Sequence, residues 1–206
     1  MLFFVCKLFA YIIIRGSRAG KIDKKEKKFI RKKQIDITKS DKNLFVFYKN
    51  SILCYNAYMR IYLDNCCYNR PYDDQSYLRI SLEAQAKLFI QQLIRAKKLD
   101  LVTSYVLDYE NSRNPSISRR DTISDFFENA VLHIDSDKNK EILPIAKKIQ
   151  STGIKVADSC HVACAEYAKC DYFLTTDDRL LKYKSSKTII MNPVQFIQVL
   201  SKEGLE

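Results

Sequence analysis

Four carboxylates carry the chemistry this chain offers. Asp64 ends the apolar run Arg60-Ile-Tyr-Leu63, and Glu110 lies just beyond Leu101-Val-Thr-Ser104. Asp158 follows Ile154-Lys-Val-Ala157, and Asp177 follows Tyr172-Phe-Leu-Thr-Thr176. Taken singly, each is an ordinary turn, cap or helix-surface acid. What joins them is the repeated context, an acid at or near the end of an apolar run. Acids at the carboxyl ends of neighbouring strands in an α/β sheet meet in one crevice. They repel one another there unless a cation sits between them. A hard divalent ion held by carboxylates, Mg²⁺ or Mn²⁺, suits such a set. The chemistry it supports is phosphodiester hydrolysis, with one or two ions polarising the phosphoryl oxygen and activating water. Asn65 and Thr176 stand beside the acids and are expected to orient carboxylates or waters. Ser104 is expected to cap the helix that carries Glu110.

The elements that must position these acids alternate along the chain from Met59 onward. Residues 60–63, 99–103, 171–175 and 188–191 read as strands. Residues 78–96, with apolar positions Leu82, Ala86, Leu88, Phe89, Leu93 and Ile94, read as an amphipathic helix. Further helices are expected over residues 104–110, 117–131, 141–150 and 158–169, and a last one opens at Asn192-Pro193. Gly153 reads as the stop of the helix over residues 141–150. Strand–helix alternation over this length predicts a parallel sheet covered by helices on both faces.

Charge divides the chain. Its net charge is +11, yet residues 1–58 hold 14 Lys and Arg against 4 Asp and Glu, whereas residues 59–206 hold 21 against 20. The basicity belongs to the N-terminal segment, so the whole-chain charge is no argument for nucleic-acid binding by the body. Residues 2–14 are apolar but too short for a span of roughly 20 residues. With the basic run 21–33 behind them, they also fit a membrane-surface anchor. We read residues 1–58 as a basic extension outside the functional protein, whose start we place at Met59. The seven cysteines follow no secreted disulfide framework, which points to reduced thiols and a cytoplasmic setting.

The body, residues 59–198, resembles the PIN-domain nucleases, in particular the VapC-like toxin ribonucleases. The resemblance rests on Asp64-Asn65, on Ser104-Tyr-Val-Leu-Asp-Tyr-Glu110, on Ala157-Asp158-Ser-Cys-His161-Val-Ala163, and on Phe173-Leu-Thr-Thr-Asp177-Asp178-Arg. It implies a PIN-like three-layer α/β/α fold with a mainly parallel central sheet. It also implies an Mg²⁺- or Mn²⁺-dependent endoribonuclease, often dimeric and often silenced by an antitoxin. The family's acidic quartet falls on Asp64, Glu110, Asp158 and Asp177, with Asp178 as a neighbour able to replace Asp177. The long insert between Asp64 and Glu110 departs from the family pattern. It holds a further acid, Glu83, which we read as a helix-surface residue.

Substrate contacts are harder to place. Arg70, Arg79 and Arg113 are candidates for RNA phosphates, and Tyr68 and Tyr72 for stacking on unpaired bases. Surface charge and core aromatics are the plainer readings of each. Among rivals, an aspartate-nucleophile phosphatase would place a second acid at the position of Cys66. Zinc held by Cys160, His161, Cys164 and Cys170 lacks a Cys-x-x-Cys knuckle, and His161 reads as a packed or surface histidine. A catalytically inactive RNA- or protein-binding module of the same fold remains the alternative to an enzyme.

Overall fold

The computed structural model describes residues 59–205 together with the three strands β1 (Asp36–Lys39), β2 (Asn43–Tyr48) and β3 (Ser51–Asn56). The chain divides into two compact units between Ala57 and Tyr58. In the first, β1, β2 and β3 form an antiparallel sheet, with Asp36 opposite Phe47 and Asn43 opposite Asn56. The expectations for residues 2–14 and 21–33 lie outside the described residues. Among the described residues no helix is long and apolar enough to cross a membrane.

The second unit is built on a five-stranded sheet: β4 (Arg60–Leu63), β5 (Asp100–Ser104), β6 (Leu132–Ile134), β7 (Tyr172–Leu174) and β8 (Ile189–Met191). The spatial order is β6-β5-β4-β7-β8, and every pairing is parallel. The central strands are buried nearly throughout; Ile61, Tyr62, Leu63, Leu101 and Val102 have no exposed surface. Strands covered on both faces lose the in–out alternation of a half-exposed sheet and read as continuous apolar runs. Tyr62 stacks on Phe173 of the neighbouring strand, ring centroids 5.4 Å apart.

The helices are α1 (Asn65–Asn69), α2 (Leu78–Arg95), α3 (Tyr105–Ser112), α4 (Ile117–Phe127), α5 (Asn139–Gln150), α6 (Val156–Tyr167) and α7 (Pro193–Lys202). They flank the sheet in two groups, α2 against α7 and α5 against α6, with α3 touching α4 and α6. This is the expected three-layer α/β/α arrangement. Gly153 ends α5 at φ 94°, a left-handed conformation that costs glycine nothing.

Three local expectations need correction. The helix anticipated over residues 117–131 stops at Phe127, because the next residues turn and enter β6. That strand has only three residues, two of them exposed, so it left no apolar run to detect. Leu82 and Leu88, assigned to the buried face of α2, are 45% and 46% exposed. Ala86, Leu93 and Ile94 are buried as expected, and the buried face also carries Glu83, Lys87 and Gln91, spaced four residues apart along one ridge. Glu83 is therefore no helix-surface residue; it is 2% exposed.

Strand order explains the site. The chain leaves central β4 for β5 and β6 on one side, then returns to β7 and β8 on the other. The order reverses beside β4, and the carboxyl ends of β4, β5 and β7 face the crevice that such a reversal opens.

Candidate metal centre

Asp64 is the first residue beyond β4. Its backbone N–H donates to Leu174 O at 2.9 Å, tying the end of β4 to the end of β7. Its side chain caps no helix donor, although it occupies the N-cap position of α1. The carboxylate is 7% exposed. Its Oδ2 accepts from the Thr175 hydroxyl at 2.7 Å and from the Cys66 thiol at 3.1 Å.

Glu110 lies one and a half turns into α3. Its Oε2 is 3.0 Å from His161 Nε2 of α6. Burial pushes its acidity down, but the His161 contact and a hydrogen bond from Asn65 outweigh it, and the pKa is lowered. Asn65 is thus a partner of Glu110. It is itself held in a file of amides: Asn69 Nδ2 donates to Asn65 Oδ1 at 3.3 Å, and Asn114 Nδ2 to Asn69 Oδ1 at 2.9 Å. Such a file fixes which way each amide points.

His161 is 1% exposed. Tyr62 Oη lies 2.8 Å from Nδ1 and 2.7 Å from Ser104 Oγ. Ser104 is therefore spent on a buried chain, Ser104–Tyr62–His161–Glu110, and does not cap α3. Burial opposes a charge on His161, yet Glu110, Asp64 and Asp158 raise its pKa. Its Nε2 is buried and makes no well-directed hydrogen bond among the described residues. One donor atom each from Asp64, Glu110 and His161 lies within 4.8 Å of the others.

Asp158 sits in the first turn of α6, whose N-cap is Lys155. Burial raises its pKa, and the charges of Asp64 and Asp177 raise it further. Like charges pressed together in this way call for a cation. Asp177 follows β7 and pairs with Arg179 of its own loop, Oδ2 to Nη2 2.9 Å, which lowers its pKa. Neither Asp158 nor Asp177 belongs to the tight three-donor group. Asp178 turns away, its carboxylate forked by Arg79 at 2.6 and 2.8 Å.

The donor set of two carboxylates and an imidazole fits a divalent ion of the Mn²⁺ or Mg²⁺ kind, the imidazole favouring the transition metal. None of the cysteines joins a metal-capable group among the described residues. The hydroxyl that touches Asp64 is Thr175, one residue before the Thr176 singled out in the sequence. Adjacent residues of an extended segment point to opposite sides, so only one of the pair can face Asp64. The Thr176 hydroxyl is buried without a hydrogen-bond partner.

His161, Tyr62, Asn69 and Asn114 are site residues that sequence reasoning missed. The His161 signal was present, three residues after Asp158 and so on the same helix face. Of the substrate candidates, Tyr68 is fully buried against Phe127 and offers no stacking face. Tyr72 is 38% exposed with Arg119 over its ring. Arg113 Nη1 donates to the Tyr109 hydroxyl at 2.7 Å, on the surface.

No protein-family model and no curated protein matches the chain. Among solved structures the chain is similar to the crystal structure of VapBC2 from Rickettsia felis bound to a DNA fragment from their promoter. The identity is 14% and the TM-score 0.43, over 65% of this chain and 98% of that one.

Proposed function

We propose that the chain is a divalent-metal-dependent endoribonuclease of the PIN type. The observation that carries this reading is the meeting of Asp64, at the end of β4, with Glu110 of α3 and His161 of α6 within 4.8 Å. In this reading Asp64, Glu110 and His161 Nε2 hold Mn²⁺ or Mg²⁺, with Asp158 and Asp177 beside them. When bound, the ion polarises a phosphoryl oxygen and makes water a better nucleophile. The chain's own groups do the rest. Thr175 and Cys66 hold Asp64 Oδ2 from one side, Asn65 holds Glu110, and Tyr62 on Nδ1 orients the His161 ring. Asp158, which lies beside Asp64 and Asp177 and whose basicity burial and their charges raise, is the residue suited to accept a proton from the attacking water. The RNA substrate, a cognate antitoxin and a homodimer come to the proposal from the motif resemblance alone.

A second reading, an inactive RNA- or protein-binding module, draws on one observation: the Asp177 carboxylate is already paired with Arg179. The test is cleavage of single-stranded and structured RNA by the full chain with Mn²⁺, with Mg²⁺ and with chelator. Asp64→Asn and Asp158→Asn serve as controls. Metal-dependent cleavage that both substitutions abolish supports the enzyme. Mn²⁺ binding by the wild type without cleavage of either RNA supports the inactive module.

A further inference from the structure

The insert between β4 and α3 holds a buried charge that the proposed chemistry does not use. Glu83 of α2 is 2% exposed and meets three partners. Arg79 Nε donates to Oε1 at 2.9 Å, and Asn192 Nδ2 donates to the same oxygen at 2.7 Å. Arg70 Nε stands 2.9 Å from Oε2 as an ion pair. A carboxylate this deep must be paired, and here two guanidinium groups share it.

Those partners lead to the metal-site loop. Arg79 uses its remaining nitrogens on residues beyond β7. Nη1 and Nη2 fork the Asp178 carboxylate at 2.8 and 2.6 Å, and Nη2 approaches Thr176 O at 3.4 Å. From the other side the same loop grips the centre. Thr175 Oγ1 donates to Asp64 and accepts the Asp177 N–H at 3.1 Å, while the Thr176 N–H reaches Cys66 Sγ at 3.3 Å. Asn192 caps α7, immediately after β8, whose Met191 O accepts the Thr175 N–H at 3.1 Å. Glu83 thus holds both ends of the segment that leaves β7 and returns through β8.

We propose that Glu83 is a positioning residue for the metal centre. Seated between Arg70 and Arg79, it aims the Arg79 fork at Asp178 and so fixes the Thr175–Asp177 turn against Asp64. The planar, two-pronged guanidinium is what this task requires, since a lysine supplies the charge without the fork. Asp178 is then the anchor of the turn and contributes no donor to the metal. This inference rests on the metal reading given above.

The test is Mn²⁺ titration of the full chain by electron paramagnetic resonance, well below the unfolding temperature, with thermal unfolding followed in parallel. Asp178→Asn breaks the fork at an exposed position and leaves the core untouched. It is expected to weaken Mn²⁺ binding by about tenfold with little change in unfolding temperature. Arg79→Lys is expected to fall between wild type and Arg79→Met. Glu83→Gln leaves Arg70 and Arg79 facing a neutral amide and is expected to lose both affinity and stability. Unchanged Mn²⁺ affinity in folded Asp178→Asn and Arg79→Met would overturn the positioning role while leaving the metal reading intact. A wild-type chain that binds no Mn²⁺ would overturn both.

Discussion

The Thr175 hydroxyl donates to Asp64 Oδ2 at 2.7 Å across the ends of β7 and β4, residues 111 apart in sequence. This bond sets one oxygen of the carboxylate and leaves the other for a ligand. Thr175→Val removes the donor and keeps the shape. It is expected to weaken Mn²⁺ binding by roughly 10–100-fold, as loss of a ligand's outer partner does. Thr176→Val is expected to leave binding unchanged and to be neutral or stabilising, since it deletes a buried hydroxyl that has no partner. Titration of both variants side by side checks the assignment. Equal effects would sink it.

The Glu110–His161 pair predicts a pH window for the metal-free fold. Glu110's pKa is lowered from 4.5, so its contribution is present above that value and lost as pH falls through the folded pKa. His161's pKa is raised from 6.5, so its contribution is present below that value and lost as pH rises through the folded pKa. Both are fully present between 4.5 and 6.5. In chelator, His161→Gln is expected to lose most stability relative to wild type inside that window. Urea unfolding at stepped pH measures it, and a difference that does not vary with pH would count against the pair.

Lys87 offers a prediction outside the donor set. It is 4% exposed, and burial lowers its pKa from 10.5 to about 8. Its ammonium lies 5.5 Å from the centre of the Tyr68 ring. The native state gives up the proton near pH 8, and the unfolded chain keeps it until about 10.5. Stability from this residue therefore rises with pH across that interval. Lys87→Met is expected to add on the order of 2 kcal/mol at pH 7, after the lost ring contact is deducted, and to flatten the rise. Thermal unfolding between pH 7 and 10 shows whether it does.

The amide file gives a fourth test. Asn69→Ala frees the Asn65 side chain to turn, and with it the bond to Glu110. Metal affinity is expected to fall by about tenfold. The cost in stability is expected to be about 1 kcal/mol, because α1 keeps its backbone bonds. Isothermal titration with Mn²⁺, paired with an unfolding curve, separates the two effects. Full retention of affinity would show that Asn65 holds its place without Asn69.

The sequence by itself determined the layer architecture and the order of strands and helices apart from α1 and β6. Buried parallel strands must be apolar on both faces, so Ile61-Tyr-Leu63 and Tyr172-Phe-Leu174 announce themselves, and each ends at or near an acid. β6 was hidden because a three-residue edge strand with two exposed side chains buries too little to need an apolar run. Tertiary structure alone decided the partners. Which of Thr175 and Thr176 faces Asp64 depends on the local register at the end of β7, which composition does not encode. That Glu83 is buried depends on Arg70 and Asn192 arriving from two other places to join Arg79, one turn earlier on the same helix. A carboxylate on an amphipathic helix reads as solvated until the charges that neutralise it are brought to its side. His161 follows the same logic. Its spacing from Asp158 was visible, but only packing puts Tyr62 on one ring nitrogen and Glu110 by the other.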